Sequence, residues 1–173
     1  MPDMTELADA TGDPTITGTE SAGADYPKLM TTDDWSAHPD ITLQQMSDFA
    51  NQARAGLPIT LFLSGTIISG IVVSAEEFYE WADESQRDKV SGSTDPTLKQ
   101  LTEKYSQLIF GNPAAEHKER RESEAETDIE LTRHIHLKDA RVVIPGIAPA
   151  PIGFVRVLLA HVSAWTLGSF GNS

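Results

Sequence analysis

The chain has 173 residues, 39% of them hydrophobic, and 26 acids against 13 bases leave a formal charge of -13 with no cysteine. That is material for one ordinary domain with tails. The missing cysteines exclude disulfides, thiolate nucleophiles and cysteine-ligated metals, and the negative field repels phosphate backbones and anionic lipid. An acidic start and the lack of any run near the ~20 apolar residues of a membrane span lead us to expect a cytoplasmic protein with neither nucleic acid nor membrane as partner.

Residues 1–40 hold nine acids and one base among Gly, Thr, Ser and Pro, a segment charge of -8. Such a composition cannot bury enough apolar area to offset chain entropy, so a disordered tail is expected. Asp40 or Thr42 then caps a short helix with Leu43, Met46, Phe49, Ala50 and Ala53 at helical spacing, ending at Gly56 before Pro58. Residues 59–74 read as two strands bent back at Ser64-Gly65. Ser74 with Glu77 three residues on is a capping box opening a helix over 75–84, with Phe78, Tyr79, Trp81 and Ala82 on its apolar face. A loop over 89–95 leads to Asp95-Pro96, a cap acceptor before a proline at the first helical position. Leu98, Leu101, Tyr105, Leu108 and Ile109 lie on one stripe of this helix, which is expected to stop at Gly111-Asn112-Pro113.

Residues 114–130 carry seven acids and three bases and suit a mobile charged insertion better than a solvated helix. A strand is expected over 134–144, a proline-rich loop through Pro145, Pro149 and Pro151, and a long final strand over 154–167 that bends to serve two sheet surfaces. Residues 169–173 form a C-terminal tail. The fold class is α+β: a small, strongly bent antiparallel β-barrel or sheet of four to five strands, with two to three inserted helices and an N-terminal helix, forming one domain over 41–168. Period-two positions nominate Leu61, Leu63, Ile71, Val73, Leu137, Val157 and Leu159 as the core.

Candidate chemistry is sparse. His134 and His136 project to one strand face and could meet His161 around a zinc or copper ion, but without cysteine or an HExxH motif a polar outer strand face explains the pair better. Asp139, between Lys138 and Arg141, reads as a strand-end turn with a local ion pair; no second carboxylate accompanies it for acid-base work. Ser64, Ser69 and Ser74 lack a G-x-S-x-G elbow. Gly65 and Gly70 belong to no phosphate loop, and positive φ or strand bending accounts for them. No catalytic, cofactor-binding or metal-binding residue is therefore assigned, and no cofactor is expected.

Two resemblances follow from the strands. Leu61 to Gly65, Ile68 to Ser74, Ile135 to Ala140 and Val157 to Trp165 are similar to an Sm-like small barrel, in which a glycine bends the second strand. More closely, the Ser-Gly hairpin running into Ser-Ala-Glu-Glu-Phe-Tyr-Glu, the Ile135-His136-Leu137-Lys138-Asp139-Ala140-Arg141-Val142 run and the closing Val-Ser-x-Trp-x-Leu-Gly at 162–168 resemble the gas-vesicle accessory protein U family. That resemblance spans residues 40–168 and implies a non-enzymatic cytoplasmic protein that associates with gas vesicles or their proteins, self-associates as a homo-oligomer and helps cluster them. It supplies no catalytic residues; the matching Gly65, Gly70, His136, Asp139, Trp165 and Gly168 are assigned to folding. The alternatives are an Sm-like RNA-binding oligomer with a basic pore of Lys138, Arg141 and Arg156, disfavoured by the helical insertion and the charge, and a metal enzyme using the strand histidines.

Overall fold

A computed structural model describes residues 39–123, 132–144 and 146–170. The expected acidic tail, apart from its last two residues, and residues 124–130 of the charged run lie outside the described residues, as do residues 171–173. Helix α1 (Ile41–Ala53) leads into strands β1 (Pro58–Leu63) and β2 (Thr66–Val73). Helices α2 (Ala75–Ser91), α3 (Pro96–Ser106) and α4 (Asn112–Glu122) follow, with a π-helical turn at Gln107–Gly111 joining the last two. Strands β3 (His134–Val143), β4 (Ala150–Leu158) and β5 (Val162–Leu167) complete an antiparallel sheet of order β4-β3-β2-β1-β5. The α+β class, the N-terminal helix and the inserted helices are as expected. The sheet is not closed into a barrel: β4 and β5 are its two edges, and no ladder joins them among the described residues.

The caps form where the sequence places them. Asp40 accepts from the amides of Thr42 and Leu43, Ser74 from Glu77, and Asp95 from Thr97 and Leu98. Each satisfies amides that a helix start leaves unpaired. The ends differ from expectation. Helix α1 stops at Arg54 in a left-handed conformation (φ 48°), two residues before Gly56. Helix α2 runs on to Ser91, past the expected end at 84. The third helix does not stop at Gly111-Asn112-Pro113; the π turn absorbs the glycine, and Pro113 falls in the first turn of α4. Residues 114–122 of the charged run are therefore helical.

The final strand is also corrected. A 3-10 turn at Leu159–His161 breaks it, sending β4 to one edge of the sheet and β5 to the other. Four strand spacings of ~4.8 Å would separate the edges of a flat sheet by roughly 19 Å, while three 3-10 residues rise only about 6 Å. The sheet must therefore curl strongly. Strand β4 begins at Ala150, inside the expected proline loop, and Pro151 is tolerated there because β4 is an edge strand.

Register decides the core. In the hairpin Leu63 faces Thr66 and Leu61 faces Ile68, so odd positions of β1 share a face with even positions of β2. The core cluster contains Leu43, Ile59, Leu61, Ile68, Val72, Ile135, Leu137, Val157 and Leu159. Of the expected set, Leu61, Leu137, Val157 and Leu159 are in it; Leu63 is only partly buried against it. Ile71 and Val73 point to the opposite face, one residue out of step, although Val73 is buried there. Helix α1 contributes Leu43 and Ala50 to the core face, whereas α2 covers the other face through Trp81 stacked on Phe154 (4.7 Å) and Glu77 paired with Lys138 (2.9 Å).

Gly70 and Asp139 form one irregularity. The β2–β3 register shifts between Ser69 and Ile71, and the β3–β4 register between Leu137 and Ala140. Asp139 adopts φ 49°, a left-handed value that aspartate reaches more readily than most residues. A Cβ on Gly70 would lie 2.9 Å from the Lys138 carbonyl oxygen, so this glycine serves close approach to β3. Asp139 thus sits in a mid-strand bulge, not at a strand-end turn.

Candidate functional site

The second face of the sheet carries the molecule's most unusual polar grouping. His134 and His136 alternate with the core residues Ile135 and Leu137, and on β4 Arg156 lies opposite His136. Helix α2 brings Tyr79 over them, and α4 brings His117, whose ring stacks on Tyr79 (5.9 Å between centroids, 18°). Arg133, just before β3, completes the wall of a cavity of about 310 Å³. Arg156 Nη2 donates to His134 Nδ1 at 3.0 Å, which leaves the neutral ring's proton on Nε2, and its guanidinium lies 5.7 Å from the Tyr79 ring centre.

His136 is 3% exposed and packs 4.7 Å from the Phe78 ring, so it does not sit on a polar outer face as expected. Among the described residues neither of its ring nitrogens has a hydrogen-bond partner. Burial, reinforced by Arg156, His134 and His117, pushes its pKa down to about 3. Burial followed by Arg156 and Arg133 lowers that of His134.

The expected metal grouping is not assembled. His161 lies exposed in the 3-10 turn, outside this cavity, and among the described residues no group of three or more His, Asp or Glu could hold a metal ion. The serines serve the fold: Ser69 Oγ accepts from Thr60 Oγ1 and the Phe170 amide, Ser74 caps α2, and Ser64 lies in the hairpin turn. Asp139 is exposed in its bulge. Lys138 is paired with Glu77 and Arg141 lies beyond the bulge, which leaves Arg156 alone of the three basic residues in the cavity wall. Tyr79, His117 and Arg133 were not anticipated as partners of the strand histidines. Strand alternation puts Arg156 with His134 and His136, but only tertiary packing brings α4 there.

A second unforeseen feature ties three helices together. Glu76, buried in the first turn of α2, accepts from Arg54 Nη1 (3.1 Å) at the end of α1 and from Arg121 Nε (2.9 Å) of α4. The Arg121 hydrogen bond, helped by the charges of Arg54 and Arg121 against the cost of burial, holds this carboxyl below its usual range. Both groups weaken the fold in acid, in separate windows. Unfolded chain protonates its histidine near pH 6.5, whereas folded His136 resists until about pH 3, so stability falls as pH drops between these values. Glu76 stabilises the fold above its ordinary carboxylate range, and that contribution disappears as pH falls through its lowered value. Denaturant midpoints followed from pH 8 to pH 3 should therefore begin to decline near pH 6.5; His136→Phe should flatten the upper part of the curve and Glu76→Gln the lower part. Curves parallel to wild type throughout would show that neither group governs acid sensitivity.

The other prominent feature is on α3 and the π turn. Leu98, Leu101, Tyr105, Leu108 and Ile109 form the expected apolar stripe, yet all are exposed, Leu101 and Leu108 each by 65%. Helix α2 packs on the other side, where Ser106 is buried and donates to Asp83 of α2. Among the described residues no helix is long and apolar enough to cross a membrane.

No curated protein matches this chain. A family model described as gas vesicle protein GvpU-like matches residues 40–170, which takes in α1, every strand of the sheet and the helices that bear both features. The chain belongs to the gas vesicle protein GvpU-like family.

Proposed function

We propose that this gas-vesicle-related protein is a non-enzymatic accessory that self-associates in the cytoplasm and gathers gas vesicles by binding their shell or another vesicle protein. The observation that carries the reading is the exposed stripe of Leu98, Leu101, Tyr105, Leu108 and Ile109, five large apolar side chains on one helix face. A contiguous patch of this kind on a soluble domain marks an interaction surface. The occupant proposed is a second copy of the chain. Copies carrying -13 repel one another overall, but the helix from 96 to 111 holds Lys99 and Lys104 against Glu103 alone, so repulsion is weakest there. The two sheet edges, β4 and β5, unpaired among the described residues, offer further pairing positions. Weak contacts repeated over many copies on one particle gain strength through effective concentration.

The experiment compares wild type with Leu101→Glu/Leu108→Glu by sedimentation and by clustering and co-flotation of isolated vesicles at several salt concentrations. Wild type should associate and cluster vesicles, while the variant, with an unchanged thermal transition, should remain monomeric and lose clustering. A monomeric wild type that never co-floats overturns the proposal. Copurified RNA or stoichiometric metal would favour the RNA-binding or metal-enzyme reading instead.

A further inference from the structure

We propose that the cavity between β3, β4 and the start of α2 is a binding site for the oxyanion group, phosphate or carboxylate, of a small molecule with a flat apolar portion. Three observations independent of the self-association stripe converge here. The first is charge: Arg133 and Arg156 line the cavity beside three histidine rings, and no Asp or Glu is among its described lining residues, in a chain where acids outnumber bases 26 to 13. Neither arginine pairs with a carboxylate among the described residues. Guanidinium groups present fixed forks of donors that match planar or tetrahedral oxyanions.

The second is the orphaned ring of His136. A buried polar group without a partner is costly, and native structures rarely leave one unsatisfied without a reason. Among the described residues His136 has two such atoms, on a residue that is 97% buried and lines this cavity. A neutral imidazole offers one donor and one acceptor, so its N–H can give a hydrogen bond to an anion. His134, whose Nδ1 is held by Arg156, adds an Nε2–H donor.

The third is shape. About 310 Å³ exceeds the space of a bare anion, and the wall includes the stacked rings of Tyr79 and His117. Those π faces suit an aryl or heterocyclic body attached to the charged group. The first residue of the 17-residue helix α2, Ala75, also lines the cavity, so the positive end of that helix dipole adds to the field.

The test is calorimetric titration of the purified full chain, without vesicles, with inorganic phosphate, phenyl phosphate and benzoate at constant ionic strength. Wild type should bind phenyl phosphate or benzoate saturably with one site per chain, more tightly than inorganic phosphate, and histidine ring resonances of His134 and His136 should shift in parallel. A preference for phenyl phosphate over benzoate identifies phosphate as the natural group, and the reverse identifies carboxylate. Arg156→Gln should weaken binding by more than about tenfold, with Arg156→Lys recovering part of the loss. Two results overturn the proposal: no saturable binding by wild type up to about 10 mM, or equal affinity in wild type and in Arg133→Gln/Arg156→Gln with its thermal transition preserved. Binding that arises only after Glu124, Glu126, Asp128 and Glu130 are changed to Gln also overturns it, since the chain's own carboxylates would then be the occupant. Because vesicle clustering is not read out, failure here leaves the self-association proposal standing, and the converse holds.

Discussion

Leu137→Ala should lower the unfolding free energy by ~2–5 kcal/mol, the cost of deleting a buried leucine and leaving a cavity. Leu137 is wholly buried at the centre of β3, opposite Val72 on one side and Val155 on the other, in the cluster that includes Leu43 of α1. The bulge that follows at Asp139 fixes the backbone beside it, which limits how far the strands can close on the gap. Leu63→Ala is the internal comparison: its side chain is only partly buried, so its cost should be distinctly smaller. Urea midpoints with unchanged slopes measure both. Equal losses for the two leucines would refute the placement of the core.

Gly56→Ala should be comparably damaging, for a different reason. A Cβ at this position would lie 1.5 Å from the carbonyl oxygen of Val72, a backbone atom that cannot swing aside. The neighbouring Leu57 carbonyl accepts from the Val72 amide at 3.0 Å, so the segment between α1 and β1 is bonded to β2 where the clash would fall. Relief requires moving this segment away from the sheet, at a cost of about 1–3 kcal/mol or more for overpacking. Gly92→Ala provides the control, because nothing lies within 4 Å of its Cβ and its φ is -83°. Its midpoint should match wild type, and a Gly56→Ala midpoint equal to that of Gly92→Ala would rule out the close approach.

The features legible in the sequence are those governed by near neighbours. Asp40, Ser74 and Asp95 sit directly before helical patterns, and each caps as its residue type requires. The Ser64-Gly65 turn is equally local, with Gly65 at φ 85°. What was missed depends on register or on distant partners. Choosing Ile71 and Val73 for the core required knowing which residue of β1 faces which residue of β2, and a two-residue turn reversed the parity. The break at Leu159–His161 lies inside a continuous apolar run, where no glycine or proline announces it. Helix α4 reads in the sequence as part of a mobile charged insertion because the partner of Arg121, Glu76, is 45 residues away. The cavity escaped for the same reason, since His117, Tyr79 and Arg133 meet the strand histidines only once α2 and α4 have packed.

The strand order β4-β3-β2-β1-β5 sets the timetable by which the chain can mature on the ribosome. Strand β1 is made before its outer partner β5, the last strand of this sheet in chain order, and Leu61 pairs with Trp165 across 104 residues. The Trp165 indole also donates to Asp40 at the start of α1, joining the opening of the domain to its close. Until residues 162–167 leave the exit tunnel, the hairpin of β1 and β2 can form while the outer edge of β1 stays open. Distant pairings of this kind slow folding, because the loop must be closed before the contacts reward it. A nascent chain of this protein therefore presents a sticky strand edge from the time β1 is made until β5 follows it, and a crowded polysome making many copies is where that edge is most exposed to a neighbour.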